Sequence, residues 1–207
     1  MAPKIKSHST VLEPFLARLQ RLEATRTKLE SLFLRAEVSR RDIEHTYGAL
    51  FLSAVTAFEG MLEVLFMKLL TRKLKHPRAI RALVDFESDV IARRVVFGGR
   101  SYVDWLPYDH TTGRAKLFFA SGRPFTHLEK PEKKSVEAWC AIRNALAHQS
   151  QFAQRRFQEL IVAPRTLLPR EKRPNSFLRS LHSTAPNVTQ YEQIVGEMAS
   201  AAKKIIR

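Results

Sequence analysis

Six consecutive residues, Arg143-Asn144-Ala145-Leu146-Ala147-His148, combine the side chains best suited to chemistry in this chain. Arginine can clamp a phosphate in a bidentate fork, and histidine as a residue type moves a proton near neutral pH. Cleavage of RNA needs both. Spacing alone is weak: with 22 Arg and 7 His in the chain, roughly one Arg-x4-His pair arises by chance. Arg40 and His45 share the spacing and read as such a chance match. Asn144 sets 143–148 apart. On an ideal helix, at about 100° per residue, Val136, Trp139, Cys140, Leu146 and Ala147 form an apolar stripe with Arg143 in its middle. Asn144 and His148 share a second face. An arginine within an apolar stripe needs a partner, because an unpaired buried charge is costly. Glu59, in the run Ala57-Phe58-Glu59, is the candidate partner. Such a pair could be purely structural, or it could position a catalytic arginine. Arg143 and His148 lie about 140° apart on a straight helix. A shared site therefore requires a distortion near Gln149-Ser150 or a second copy of the chain.

The motif and four other segments resemble the HEPN superfamily (higher eukaryote and prokaryote nucleotide-binding proteins), whose ribonuclease members carry Arg-x4-6-His, often as Arg-Asn-x3-His. The resemblance covers roughly residues 40–205. Its other segments are Ser53-Ala54-Val55-Thr56-Ala57-Phe58-Glu59, Tyr102-Val103-Asp104-Trp105-Leu106-Pro107-Tyr108, Gly122-Arg123-Pro124-Phe125 and Arg173-Pro174-Asn175-Ser176-Phe177-Leu178-Arg179-Ser180. It looks most like a bacterial branch named with an L-PSP-type endoribonuclease domain, although no such second domain is expected within these 207 residues. The resemblance implies a homodimer with facing motifs and a metal-independent endoribonuclease without cofactor, serving host defence or a toxin–antitoxin system. Arg143, Asn144 and His148 would be catalytic, with Glu59 in support. The 2′-OH of RNA would attack the adjacent phosphorus, giving a 2′,3′-cyclic phosphate and a 5′-OH. A rival reading is a non-catalytic HEPN module that binds RNA, nucleotide or a protein partner, an antitoxin among them.

Elements of helical period must position these groups, and the expected fold is all-α: an HEPN-type bundle in one domain over 1–207. Leu12, Phe15, Leu19, Leu22, Leu29 and Phe33 predict a first helix over 12–37, broken only at Arg26. Ser39 can cap a second helix reaching about Lys73, with Ile43, Tyr47, Phe51, Phe58, Leu62 and Leu69 on its stripe. Two adjacent long helices joined by a short link form an antiparallel hairpin. Pro77 is expected to open a third helix ending at Gly98-Gly99. Residues 100–131, rich in glycine, proline and aromatics, read as an ordered insert with one hairpin near 102–106. The motif helix follows over 133–150, continuing or kinking into 152–160. Prolines 164, 169 and 174 punctuate a basic loop over 163–175, and Asn187 or Thr189 caps a last helix through Ile206.

Composition narrows the partners. A net charge of +15 attracts polyanions, nucleic acid first and an anionic membrane surface second. Arginines outnumber lysines 22 to 13, which favours bidentate phosphate contacts. Arg155 and Arg156, beside the motif helix, and Arg123 are expected to track an RNA backbone. Tyr102, Trp105 and Tyr108 could stack unpaired bases or simply pack the insert onto the helices. Cys140 is the single cysteine, so an intrachain disulfide is excluded and a reducing compartment is expected. The seven histidines lack metal-ligand spacing, so no metal site is expected. Met1–Lys6 precedes no hydrophobic run, and the apolar window Met61–Leu70 contains Glu63 and Lys68. A cytoplasmic protein with no membrane role is the expectation.

Overall fold

Ser39 starts the longest helix by a reciprocal cap: its Oγ accepts the Asp42 N–H at 3.2 Å and donates to Asp42 Oδ2 at 2.6 Å. This helix, α2 (Arg40–Leu70), follows α1 (Ser9–Leu34). The computed structural model describes residues 6–7, 9–75, 80–148, 150–184 and 186–206. In it α1 and α2 form the expected antiparallel hairpin. Phe15 meets Phe58 edge-on at 5.9 Å, Arg18 donates to Ser53 at 2.8 Å and Arg26 to the Tyr47 hydroxyl at 3.2 Å. Later partners on α1 meet earlier partners on α2, as an antiparallel pair requires.

Six further helices complete an all-α chain: α3 (Asp89–Phe97), α4 (Tyr108–Phe118), α5 (Lys130–Ala147), α6 (Gln151–Phe157), α7 (Pro174–Arg179) and α8 (Gln190–Ile206). The described strands form two small pairs. β1 (Lys6–Ser7) lies parallel to β2 (Leu74–Lys75), and β3 (Leu181–Thr184) lies antiparallel to β4 (Asn187–Thr189). The chain divides into two compact units, and α1, α2, α5 and α8 each contribute to both.

The first unit comprises Met1–Leu16, Phe58–Lys133 and Ser200–Arg207. Its centre is the fully buried Phe66, whose ring lies 5.0–5.8 Å from those of Trp105, Phe118, Phe119 and Phe125. Trp105 is buried yet satisfied, its indole N–H donating to Glu63 at 3.1 Å, while Arg93 pairs with the same carboxylate at 2.8 Å. Lys204 ties α8 to Glu132.

The second unit comprises Ala17–Ala57 and Lys134–Ala199. Trp139, Tyr47, Phe51, Phe157, Phe177 and Tyr191 fill its core. A polar network runs along one side. Arg26 explains the break in the α1 stripe: it binds Glu23 at 2.5 Å and Glu192 at 2.7 Å. Glu30 accepts the Tyr47 hydroxyl at 2.7 Å and two Arg179 N–H groups at 2.9 Å each. Burial pushes the Tyr47 phenol well above its ordinary range.

Several elements differ from expectation. The third helix does not run from 77 to 98. Pro77 lies outside the described residues, and residues 80–88 are irregular, Ala82 bridging to Phe119. α3 begins only where Ser88 caps the Val90 N–H, and it ends as expected at Gly98 (φ 58°) and Gly99 (φ 76°). The insert carries α4 and a short 3-10 turn over Ala120–Gly122 in place of a hairpin at 102–106. Trp105 and Tyr108 are buried there, and Tyr102 is exposed. The basic loop contains a 3-10 turn at Pro169–Lys172 and then α7, because Pro174 occupies the first helical position, where proline needs no N–H partner. The β3–β4 hairpin has no counterpart in the helical reading. Thr189 is the cap of α8: its hydroxyl accepts the Glu192 N–H while the Glu192 carboxylate accepts the Thr189 N–H. By length and composition α2 could cross a membrane, a broader apolar span than the window 61–70 suggests, yet more than half of that span is buried within the protein.

Candidate functional site

The end of α5 carries the Arg-Asn-x3-His residues, Arg143 and Asn144 in its last turn and His148 directly after it. Val136, Trp139, Cys140, Ala141, Ile142 and Ala145 form the buried face of this helix. That face is rotated from the expected stripe: Arg143 and Leu146 lie half-buried at its edge and Ala147 is exposed. The arginine therefore sits at a margin rather than in the middle of an apolar surface. Its Nη1 donates to Asn144 Oδ1 at 2.9 Å, so the neighbouring asparagine orients the guanidinium.

α5 stops at Ala147, and Ser150 caps α6 by accepting the Ala153 N–H. His148 stands exposed in the break between the two helices. Its backbone N–H still donates to the Asn144 carbonyl at 2.8 Å, which keeps it on the last helical turn. The helix thus ends at Ala147 and a new one begins at Gln151, with Gln149 outside the described residues. Arg143, Asn144 and His148 lie within six residues at the same helix end, and only the Arg143 and Asn144 side chains are joined there by the hydrogen bond described.

The remaining predicted residues are dispersed. Arg155 is exposed on α6, whereas Arg156 is held by Glu137 at 2.7 Å and by Glu159 at 3.5 Å. Those exposed carboxylates compete with a phosphate for its guanidinium. Glu59 is half-buried on α2 and Arg123 is exposed after the 3-10 turn, both in the first unit.

A cleft of about 850 Å³ opens in the second unit, and its wall includes Ala145 and Leu146 of the motif helix. Opposite them stands one face of α2: Arg41, His45, Ala49 and Leu52, at helical spacing. Arg173, Asn175 and Ser176 close it from the start of α7. The supposed chance pair, Arg40 and His45, therefore lines a real cavity. Gly48 leaves room there: a Cβ would stand 2.1 Å from Asn175 Oδ1 and 3.1 Å from Leu146 Cδ2, so the Asn175 side chain would have to move. The space it leaves lets Asn175 Nδ2 approach His45 Nδ1 to 3.3 Å. That contact holds the ring and leaves Nε2 as the atom offered to a ligand. Glu44, the cleft's carboxylate, is already engaged by Arg40 at 3.0 Å and the Ser176 hydroxyl at 2.8 Å. Among the described residues neither Arg41 nor Arg173 has a carboxylate partner, so the cleft is electropositive. Its sequence signature was the spacing of Arg41, His45, Ala49 and Leu52, but only the arrival of residues 173–176 from far along the chain makes it a cavity.

No three His, Cys, Asp or Glu side chains cluster among the described residues. Comparison of the chain with protein-family models, curated proteins and solved structures finds no match.

Proposed function

We propose that the protein is an HEPN-type endoribonuclease that cleaves RNA without a metal ion. The observation that carries this reading is the Asn144-oriented Arg143 in the last turn of α5, followed by the exposed His148 just past the helix end, in a strongly basic chain. In the proposed reaction the RNA 2′-oxygen forms a bond to the adjacent phosphorus while the bond to the 5′-oxygen breaks. His148 takes the 2′-OH proton or returns one to the leaving oxygen. Arg143 neutralises the charge that accumulates on the phosphorane oxygens. A second His148, from another copy of the chain, would supply the complementary proton transfer, so the active species is a homodimer. A defence or toxin–antitoxin role and an antitoxin-like partner belong to the same proposal and rest on the resemblance described above, whereas a cytoplasmic location rests on the single cysteine and on the absence of a hydrophobic run after Met1–Lys6.

The test is end-labelled single-stranded RNA incubated with the protein in EDTA, followed by end-group analysis. The expected products carry 2′,3′-cyclic phosphate and 5′-OH ends. Cleavage that needs added divalent metal, or that leaves 5′-phosphates, would refute the mechanism. Binding without cleavage would favour the non-catalytic module, a reading supported by the basic cleft.

A further inference from the structure

The α2 face of the cleft changes character along its length. It begins with the exposed guanidinium of Arg41, passes the His45 ring and ends on Ala49 and Leu52. Leu146 adds an apolar surface from α5, and Arg173 adds a second guanidinium near the mouth from α7. A nucleotide has the same polarity, anionic at one end and a flat, weakly polar base at the other. Three arginines against the single carboxylate of Glu44 leave a charge of +2 on the lining. The volume, about 850 Å³, falls within the roughly 300–1,000 Å³ typical of small-ligand pockets.

We propose that this cleft seats one ribonucleotide unit. Its phosphate lies on Arg41 and Arg173, a sugar oxygen faces His45 Nε2, and its base lies against Ala49, Leu52 and Leu146. Arg40 contributes field but is partly committed to Glu44. The unit is either one residue of a single-stranded RNA or a free nucleotide, because the recognising chemistry is the same. The polymer version rests on the ribonuclease reading, in which the motif turn beside Leu146 would act on a phosphodiester of the strand held here. The site itself stands on the geometry of the cleft alone.

Binding is best measured with the full chain and a fluorescent 2′-O-methyl RNA oligonucleotide, which has no 2′-OH to attack and so cannot be cleaved by the proposed route. Fluorescence anisotropy over a salt series gives affinity and salt dependence. Arg41→Glu with Arg173→Glu is compared with Arg21→Glu with Lys28→Glu, an equal charge change on exposed residues of α1. Reversal in the cleft is expected to weaken binding by about tenfold or more and to flatten the logarithmic salt slope by about 0.7, the value for one neutralised phosphate on a single strand. The α1 control should change affinity by less than about threefold. Equal weakening by the two pairs would reduce the effect to diffuse charge and overturn the site.

Gly48→Ala gives a second handle. It displaces Asn175 from His45 without altering charge, so the His45 ring signal in NMR should move and oligonucleotide affinity should fall several-fold. Affinity unchanged in both Gly48→Ala and the cleft reversal would also overturn the proposal. Adenosine monophosphate as competitor separates the sources. Displacement at the oligonucleotide's own Kd assigns the cleft to free nucleotide, and displacement only at tenfold higher concentration or more assigns it to the strand. A short glutamate-rich peptide of equal charge that competes as well as RNA would assign the cleft to carboxylates and exclude the nucleotide. Intact cleft binding by a protein whose His148→Ala variant still cleaves RNA fully would leave this site standing and remove the ribonuclease mechanism.

Discussion

Replacing Glu30 by glutamine tests the polar network that anchors α7, and with it Asn175 and Ser176 at the cleft. The Glu30 carboxylate accepts three hydrogen bonds: two from Arg179 at 2.9 Å, in the bidentate fork geometry, and one from Tyr47 at 2.7 Å. The Glu30 and Arg179 side chains are 24% and 17% exposed, so water screens them only in part. Arg179 also stacks on Phe33 at 4.3 Å, a contact the substitution leaves in place. Glutamine keeps the shape but removes the charge and turns an N–H₂ toward one of the donors. Hydrogen bonds to charged groups contribute about 1.5–3 kcal/mol, so a loss of about 2 kcal/mol is expected. For a chain of this length that corresponds to a fall in Tm of roughly 4–8 °C.

The pH dependence of Glu30→Gln has a definite sign. Burial alone would raise the Glu30 pKa, but hydrogen bonds from Arg179 and Tyr47 outweigh it and hold the carboxyl below its usual value. A carboxylate depressed in the folded state adds stability above its unfolded pKa, near 4.3, and that stability is lost as pH falls through the folded value. The gap between wild type and Glu30→Gln should therefore be full at pH 7 and close only below about pH 4. Circular-dichroism melts and urea midpoints across this range measure it. An unchanged Tm at neutral pH, or a gap that stays constant into acid, would show that the Glu30–Arg179–Tyr47 network does not stabilise the fold as argued.

Other substitutions probe the motif and the first unit. His148→Ala should abolish RNA cleavage while shifting stability by no more than about 0.5 kcal/mol, because the side chain is exposed in a helix break; cleavage rates and melts on one preparation test both halves. Arg143→Ala should remove activity and cost about 1 kcal/mol, the size of its bond to Asn144 and its half-buried stem, and a loss above 3 kcal/mol in urea titration would mean the guanidinium carries a buried charge pair. Phe66→Ala should destabilise the protein by about 3–5 kcal/mol, since its fully buried ring touches four other aromatic rings; a denaturation midpoint near wild type would contradict that packing. Glu63→Leu leaves both the Trp105 indole N–H and Arg93 without their acceptor, and calorimetry should register a loss of about 2 kcal/mol.

Local sequence determined those features whose cause lies within a few residues. The Ser39 cap, the Gly98-Gly99 stop, the long stripes of α1 and α2 and the start of α8 at one of two candidate caps, Asn187 or Thr189, were legible, because each depends on neighbouring backbone groups or on helical period. The motif turn was legible for the same reason, as Arg143, Asn144 and His148 are close in the chain. The rotation of the buried α5 face was not: Ala141, Ile142 and Ala145 are covered by partners that the helix's own composition does not name. Residues 80–88 lost their expected helix to a pairing with Phe119, and the insert's aromatics became the wall around Phe66, both long-range outcomes. Arg40 and His45 illustrate the limit most directly. Their spacing was as visible as that of Arg143 and His148, but nothing nearby marked it as more than coincidence. Only tertiary structure brought Asn175 into the space left by Gly48, 127 positions earlier, and so turned one face of a helix into an electropositive cleft. Such a contact depends on the packing of α7 against α2, which helical periodicity within either segment does not encode.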